Sequence, residues 1–156
     1  SDTMNEEQEQ RAREETITPQ VSAVPARISE VLPDKLLVLP LRARPFFPAQ
    51  TMPIVIEDEL WLETIERVGH TPQKLVGLVY ARHPQDQPAP KPEEFATFGT
   101  VARVHHAMRD GGRIQFIAEG VERFRIAHWV RTERPFVVQA EYPRATQEAG
   151  KEVRAY

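Results

Sequence analysis

Four prolines break up the apolar stretch LPLRARPFFPAQTMPI at residues 39–54, and they constrain the fold more than any other feature of the chain. Proline has no backbone N–H and forfeits a ladder hydrogen bond wherever it sits inside a paired strand. Pro40, Pro45, Pro48 and Pro53 are therefore expected at edges, corners or strand starts. The stretch reads as two short strands, LLVLPL at 36–41 and MPIVI at 52–56, around a bent connector. Such corners suit a sheet rolled on itself, whose edges must not pair with stray chains.

One helix follows. In DELWLETIERV, Asp58 is a plausible N-cap, Glu59 lies in the first turn where the helix dipole favours an acid, and Gly69 can supply a left-handed stop. At helical spacing Trp61, Leu62, Ile65 and Val68 fall within an arc of about 120°, while Leu60 falls outside it. KLVGLVYAR, 74–82, is nearly continuous in apolar residues and predicts a strand buried on both faces. HPQDQPAPKPEE has four prolines and no periodicity, which predicts a long exposed loop. ATFGTVARVHHAM and RIQFIAEGVERFRIAHWV flank Arg-Asp-Gly-Gly and predict a long hairpin, and PFVVQAEY at 135–142 adds a last strand. About six strands and one helix predict a mostly β fold, a small barrel or rolled sheet with the helix closing one opening.

The ends differ from this middle. Residues 1–15 hold six acids against Arg11 and Arg13, with only Met4 and Ala12 apolar, so a helix there would have no face to bury. Pro19, Pro25 and Pro33 mark a linker, and the residues after 142 turn polar and helix-prone. A chain of 156 residues suits one domain and a tail. The expected division is 1–35 tail and linker, 36–142 barrel, and 143–156 the start of a helical element.

Charge and motifs narrow the function. Twenty basic against 23 acidic side chains give no general attraction to nucleic acid or an anionic membrane. No apolar run approaches the ~20 residues of a membrane span, and no secretory signal opens the chain, which predicts a cytoplasmic protein. The absence of cysteine excludes disulfides, thiolate metal sites and a cysteine nucleophile. The phosphate-cradling Gly-x-x-x-x-Gly-Lys motif is missing, since Gly150-Lys151 is followed by Glu152. Ser1, Ser22 and Ser29 all lie in the tail or linker, where no scaffold could build an oxyanion hole around them. His105 and His106, adjacent on a strand, are expected on opposite faces and no metal is expected. The acid pairs Glu93 with Glu94 and Glu119 with Glu122 read as solvated rather than catalytic. No catalytic residue and no cofactor of this chain's own is therefore predicted.

Two binding readings remain. Residues 103–134 carry Arg103, Arg109, Arg113, Arg123, Arg125, Arg131 and Arg134 against four acids, so an RNA-binding barrel stacking bases on Phe116, Phe124 and Trp129 is the alternative from another class. Strand alternation counts against it, because Phe116 shares the expected core face of Ile114 and Ala118. The leading reading starts from apolar residues left over once the core is assigned: Leu60 and, in the proline corner, Phe46 and Phe47. Clustered, they would suit extended, unfolded protein segments.

LPLR at 39–42, Phe47-Pro48, PIV at 53–55, FGTVA at 98–102, Glu119-Gly120 and AEY at 140–142 occur in an order and spacing that resemble the N-terminal domain of Lon-type ATP-dependent proteases, or endopeptidase La. The resemblance runs from about residue 36 to residue 142. It implies a six-stranded, PUA-like pseudo-barrel with one helix, and a non-catalytic part that recognises unfolded or regulatory protein substrates and helps hold a homohexamer together. ATP, magnesium and the serine protease activity would belong to modules of the parent protein that have no counterpart in this sequence. A stand-alone Lon-N-like module is the rival within the resemblance. The long N-terminal segment and the proline-rich loop depart from the family pattern.

Overall fold

The computed structural model describes residues 31–42, 47–82 and 87–143. Residues 1–30 of the tail and linker expected over 1–35, Phe46, and all but Pro143 of the expected helical element lie outside the described residues. The fold below is that of the unit Pro33–Tyr156.

The elements in chain order are β1 (Lys35–Leu41), β2 (Thr51–Glu57), α1 (Asp58–Gly69), β3 (Leu75–Tyr80), β4 (Phe98–Asp110), β5 (Arg113–Arg131) and β6 (Val137–Glu141). The strands form one six-stranded sheet in the order β2-β5-β4-β3-β1-β6, and β6 pairs with β5 as well, which closes it. β1, β3, β4, β5 and β6 complete the circuit, while β2 hangs from β5 alone among the described strands. The 19-residue β5 makes this possible by serving two partners in succession. Its first half, to Glu119, pairs with β2, and its second half, from Arg125, pairs with β6. Among the described strands only β1 and β3 pair in parallel. The rolled, mostly antiparallel sheet with one helix is the architecture that the prolines and apolar spacing predict.

Alternation sets what each strand buries. Ile114, Phe116 and Ala118 of β5 point inward, and β3 is buried at Leu75, Val76, Leu78 and Val79 alike. β4 and β5 are joined through Gly111 and Gly112, with φ of 60° and 79°, values that a tight primed turn requires.

Pro40 and Pro53 fall where they cost nothing, and Pro45 lies outside the described residues. Gly120 N–H donates to the Gln50 carbonyl (2.8 Å) and Asp58 N–H to the Gly112 carbonyl (3.0 Å). Antiparallel bonded pairs recur at every second residue, so Met52, Ile54 and Ile56 turn their backbone groups to β5, and Thr51, Pro53, Val55 and Glu57 turn theirs to the opposite edge. Pro53 thus has its donorless nitrogen on the outer edge. Ala81 N–H donates to the Leu41 carbonyl (3.0 Å), which directs Leu41 and Leu39 to β3 and Pro40 away from it.

Four local expectations need correction. The helix is capped at Glu57 without a side-chain hydrogen bond, and Asp58, its first residue, instead accepts from Arg109 Nε at 2.8 Å. The helix runs through Gly69 and ends at His70 with φ of −84°. His70 N–H (3.1 Å to Glu66 O) and Thr71 Oγ1 (2.6 Å to Val68 O) satisfy its last carbonyls, so no left-handed glycine is needed. The buried stripe is Trp61, Thr64, Ile65 and Val68, with Leu62 half-buried, because i, i+3, i+4, i+7 is a narrower set than the one expected. Finally, His106 adopts φ of 54° at an irregularity in β4, so His105 and His106 do not follow simple alternation and their rings lie 6.2 Å apart.

Candidate functional site

Because α1 begins at the residue after β2 ends, its first turn hangs over the end of that strand and carries Leu60 and Trp61 with it. Beside them lies a cleft of about 410 Å³. One wall is the end of β1 with Pro40, Leu41 and Arg42, the other is β2 from Met52 to Glu57, and Leu60, Trp61, Pro88, Pro90 and Arg113 complete it. Inward residues of β2 (Ile54, Ile56) and outward ones (Pro53, Val55) both border the cleft, so it runs along the strand's edge and not along one face.

The floor is anchored by aromatic packing. Trp61 is 4% exposed and lies 6.1 Å from the Phe136 ring, which in turn meets Phe95 at 5.5 Å and Trp129 at 5.7 Å. The Arg134 guanidinium stands 5.9 Å from the Trp61 ring centroid and donates to the Leu60 carbonyl at 3.2 Å. The loop that supplies Pro88 and Pro90 is more tightly held than its composition predicts. Pro90 is buried, Lys91 N–H donates to Glu94 Oε1 at 2.8 Å in a single turn over Pro92–Glu94, and Phe95 bridges to Ala81. Prolines need no donor partner, which lets this segment pack without a strand of its own.

Most of the lining is apolar, and its charges are uneven. It holds two arginines, Arg42 and Arg113, against Glu57, an excess of one cation, and Arg113 is the one that stands across the β2–β5 register from Glu57. Among the described residues neither Arg42 nor Arg113 has a carboxylate at ion-pair distance.

Of the residues singled out from sequence, Leu60 lines the cleft and is half-buried. Phe47 is 67% exposed at the turn before β2, where its N–H donates to Gln50 Oε1 (3.0 Å), and is not among the residues lining the cleft. Phe46 lies outside the described residues. Sequence reasoning missed the edge of β2, Val55 and the two loop prolines. The available signal was the alternation in TMPIVIE, which sets Pro53 and Val55 opposite Ile54 and Ile56 and leaves a proline on an otherwise apolar strand.

The other candidates are engaged in packing. Phe116 and Phe124 are 2% and 0% exposed, so two of the three rings an RNA base would stack on are enclosed, and the third, half-buried Trp129, packs on Phe95 and Phe136. Arg123 stacks over Phe98 at 4.3 Å, and Arg125 pairs with Glu141. Glu119 takes a hydrogen bond from His105 (3.0 Å between Nε2 and Oε1) beside Arg103. Among the described residues no group of three or more His, Cys, Asp or Glu could hold a metal, and no helix is long and apolar enough to cross a membrane.

The family model described as ATP-dependent protease La (LON) substrate-binding domain matches residues 35–156. The chain is 39% identical over 125 residues to Lon protease 2 of Hydrogenovibrio crunogenus, covering 80% of this chain and 14% of that protein. It is 33% identical over 130 residues to Lon protease 1 of Syntrophotalea carbinolica, covering 82% and 16%. It thus spans about a seventh of the length of the curated relatives it matches. In fold it is similar to the crystal structure of a Lon N-terminal domain protein from Xanthomonas campestris, with a TM-score of 0.53 at 19% identity over 69% of this chain and 59% of that one. The N-terminal domain of the Mycobacterium avium complex Lon protease superposes with a TM-score of 0.50 at 17% identity over 69% and 54%.

Proposed function

The chain belongs to the family of Lon substrate-binding domains, and from that premise we propose that it recognises unfolded or regulatory proteins for a Lon-type ATP-dependent serine protease, taking their apolar segments into the cleft beside β2. The observation that carries this reading is the lining of that cleft, where Leu60, Trp61, Ile54 and Ile56 meet loop prolines over a floor anchored by aromatic rings. An unfolded chain differs from a folded one in exposing apolar side chains on extended backbone, and an apolar slot along a strand edge suits both features. Leu60 is the central contact in this proposal, and exposed Phe47 is a second one outside the cleft. The barrel over 36–142 contributes recognition and helps to hold a cytoplasmic homohexamer. Bond cleavage, ATP and magnesium belong to other modules of the parent protein.

The test uses the two tryptophans of the chain. With Trp129→Phe, Trp61 is the sole reporter and sits on the cleft. Titration with a reduced, carboxymethylated protein should change its emission, and Leu60→Asp should weaken the titration at least tenfold while the circular dichroism spectrum stays the same. A silent Trp61 together with unchanged affinity in Leu60→Asp would remove the cleft from the binding site.

A further inference from the structure

Resting on the reading of the cleft as the substrate site, we infer that the client binds by strand addition: an extended segment pairs antiparallel with the outer edge of β2, its apolar side chains facing Leu60 and Trp61 and an acidic flanking residue meeting Arg42. The backbone of β2 dictates this. Thr51, Val55 and Glu57 turn their N–H and C=O groups away from β5, and Pro53 turns a carbonyl alone. That edge ends the sheet order, and no described strand pairs with it. On the facing wall Pro40 also presents a carbonyl without a donor, so β1 and β2 cannot zip together through these two positions. The slot between them is bordered by β2 from Met52 to Glu57. Main-chain groups provide affinity that is independent of sequence, and the apolar lining selects side chains, a division that fits a site for many clients.

The charge of the lining completes the description of the occupant. Glu57 faces Arg113 in register, and Arg42 has no described carboxylate beside it. An apolar segment flanked by Asp or Glu is complementary, and one flanked by Lys is not.

Pairing of this kind has a period of two. A client residue opposite Pro53 or Val55 must donate its N–H to their carbonyls, and its immediate neighbours turn theirs away. The experiment uses the 156-residue chain and a fluorescent peptide of about ten residues, alternating Val and Thr with Asp at both ends. Single N-methylations are scanned along it. The expected result is an alternating pattern, with affinity reduced at least tenfold at every second position and little changed between. Pro53→Val restores an edge donor and should tighten the peptide about fivefold, the worth of one added hydrogen bond. Val55→Pro removes an edge donor without touching the β5 ladder and should weaken it tenfold. Arg42→Glu should reverse the preference between Asp-flanked and Lys-flanked peptides.

The outcomes separate the two proposals. If Leu60→Asp abolishes binding while N-methylation, Pro53→Val and Val55→Pro leave it unchanged, the cleft remains the site and strand addition is overturned. If Leu60→Asp also has no effect, both fail.

Discussion

A Cβ atom on Gly77 of β3 would lie 2.8 Å from Cζ of Phe124 on β5, so the buried ring occupies the space in which any side chain there would begin. Gly77→Ala is therefore expected to lower stability by about 1–3 kcal/mol, the usual cost of overpacking a core. Adding Phe124→Leu should return part of that loss, so the double variant should be more stable than the sum of the two single changes predicts. Gly99→Ala differs, because its Cβ would meet the Leu78 carbonyl oxygen at 2.6 Å as well as Val79 Cγ2 at 2.7 Å. Backbone cannot swing aside, and Phe124→Leu should rescue it little. Urea unfolding of the wild type and the five variants measures both claims.

Arg109 Nε donates to Asp58 Oδ2 at 2.8 Å and ties β4, next to the hairpin turn, to the first residue of α1. The Arg109 side chain is 61% exposed and that of Asp58 only 14%. Solvent screening on the arginine side holds the expected coupling to about 0.5–1 kcal/mol. A double-mutant cycle with Asp58→Asn and Arg109→Gln should find that value at low salt and a clearly smaller one at ~1 M salt, where the screening length is about 3 Å. A coupling that ignores salt would contradict it.

Ala49, in the turn leading to β2, has φ of 70°, and its N–H donates to the Gly120 carbonyl at 2.9 Å. A left-handed conformation costs an L-residue with a Cβ about 1–2 kcal/mol, and glycine returns about half of that through its freer unfolded chain. Ala49→Gly should stabilise the domain by about 0.5–1 kcal/mol, and Ala49→Val should destabilise it. Thermal melts showing the opposite order would be inconsistent with this backbone geometry.

Tyr142 donates its phenol hydrogen to the Pro33 carbonyl at 2.5 Å, fastening the end of β6 to the chain just before β1. Burial, and secondarily the Asp34 carboxylate, push its ionisation well above the usual phenol range. The folded state keeps the proton when the unfolded chain has begun to lose it near pH 10. The contribution is complete below that pH and falls as pH rises beyond it. Tyr142→Phe should cost about 0.5–1.5 kcal/mol at neutral pH and flatten the alkaline loss of stability. Tyrosinate absorbance in the folded protein should show one phenol fewer titrating near pH 10 in the wild-type chain than in the unfolded one.

The legible parts of the fold were those in which local chemistry and burial agree. Continuous apolar residues in LVGLVY, alternation in IQFIA and two glycines at a hairpin turn each admit few backbone solutions. Leu60 was legible as a residue outside the helix's buried stripe. The caps of α1 were not, because Arg109 reaches Asp58 from 51 positions away and Thr71 closes the last turn with its own hydroxyl. Phe47 remained exposed and apart from the cleft, since two bonds with Gln50 hold it in its own turn.

Sequence alone determined that this chain has a rolled sheet with one helix, and that Pro40 and Pro53 must lie where no ladder bond is required. That follows from a missing N–H, a property of the residue itself. Which edges those are, and that the two prolines line opposite walls of one cleft, was decided only by the closed sheet. β1 and β2 border the same cleft because β5 is long enough to bond β2 along its first half and β6 along its second. Such a juxtaposition depends on pairing between distant segments, and no local pattern encodes it.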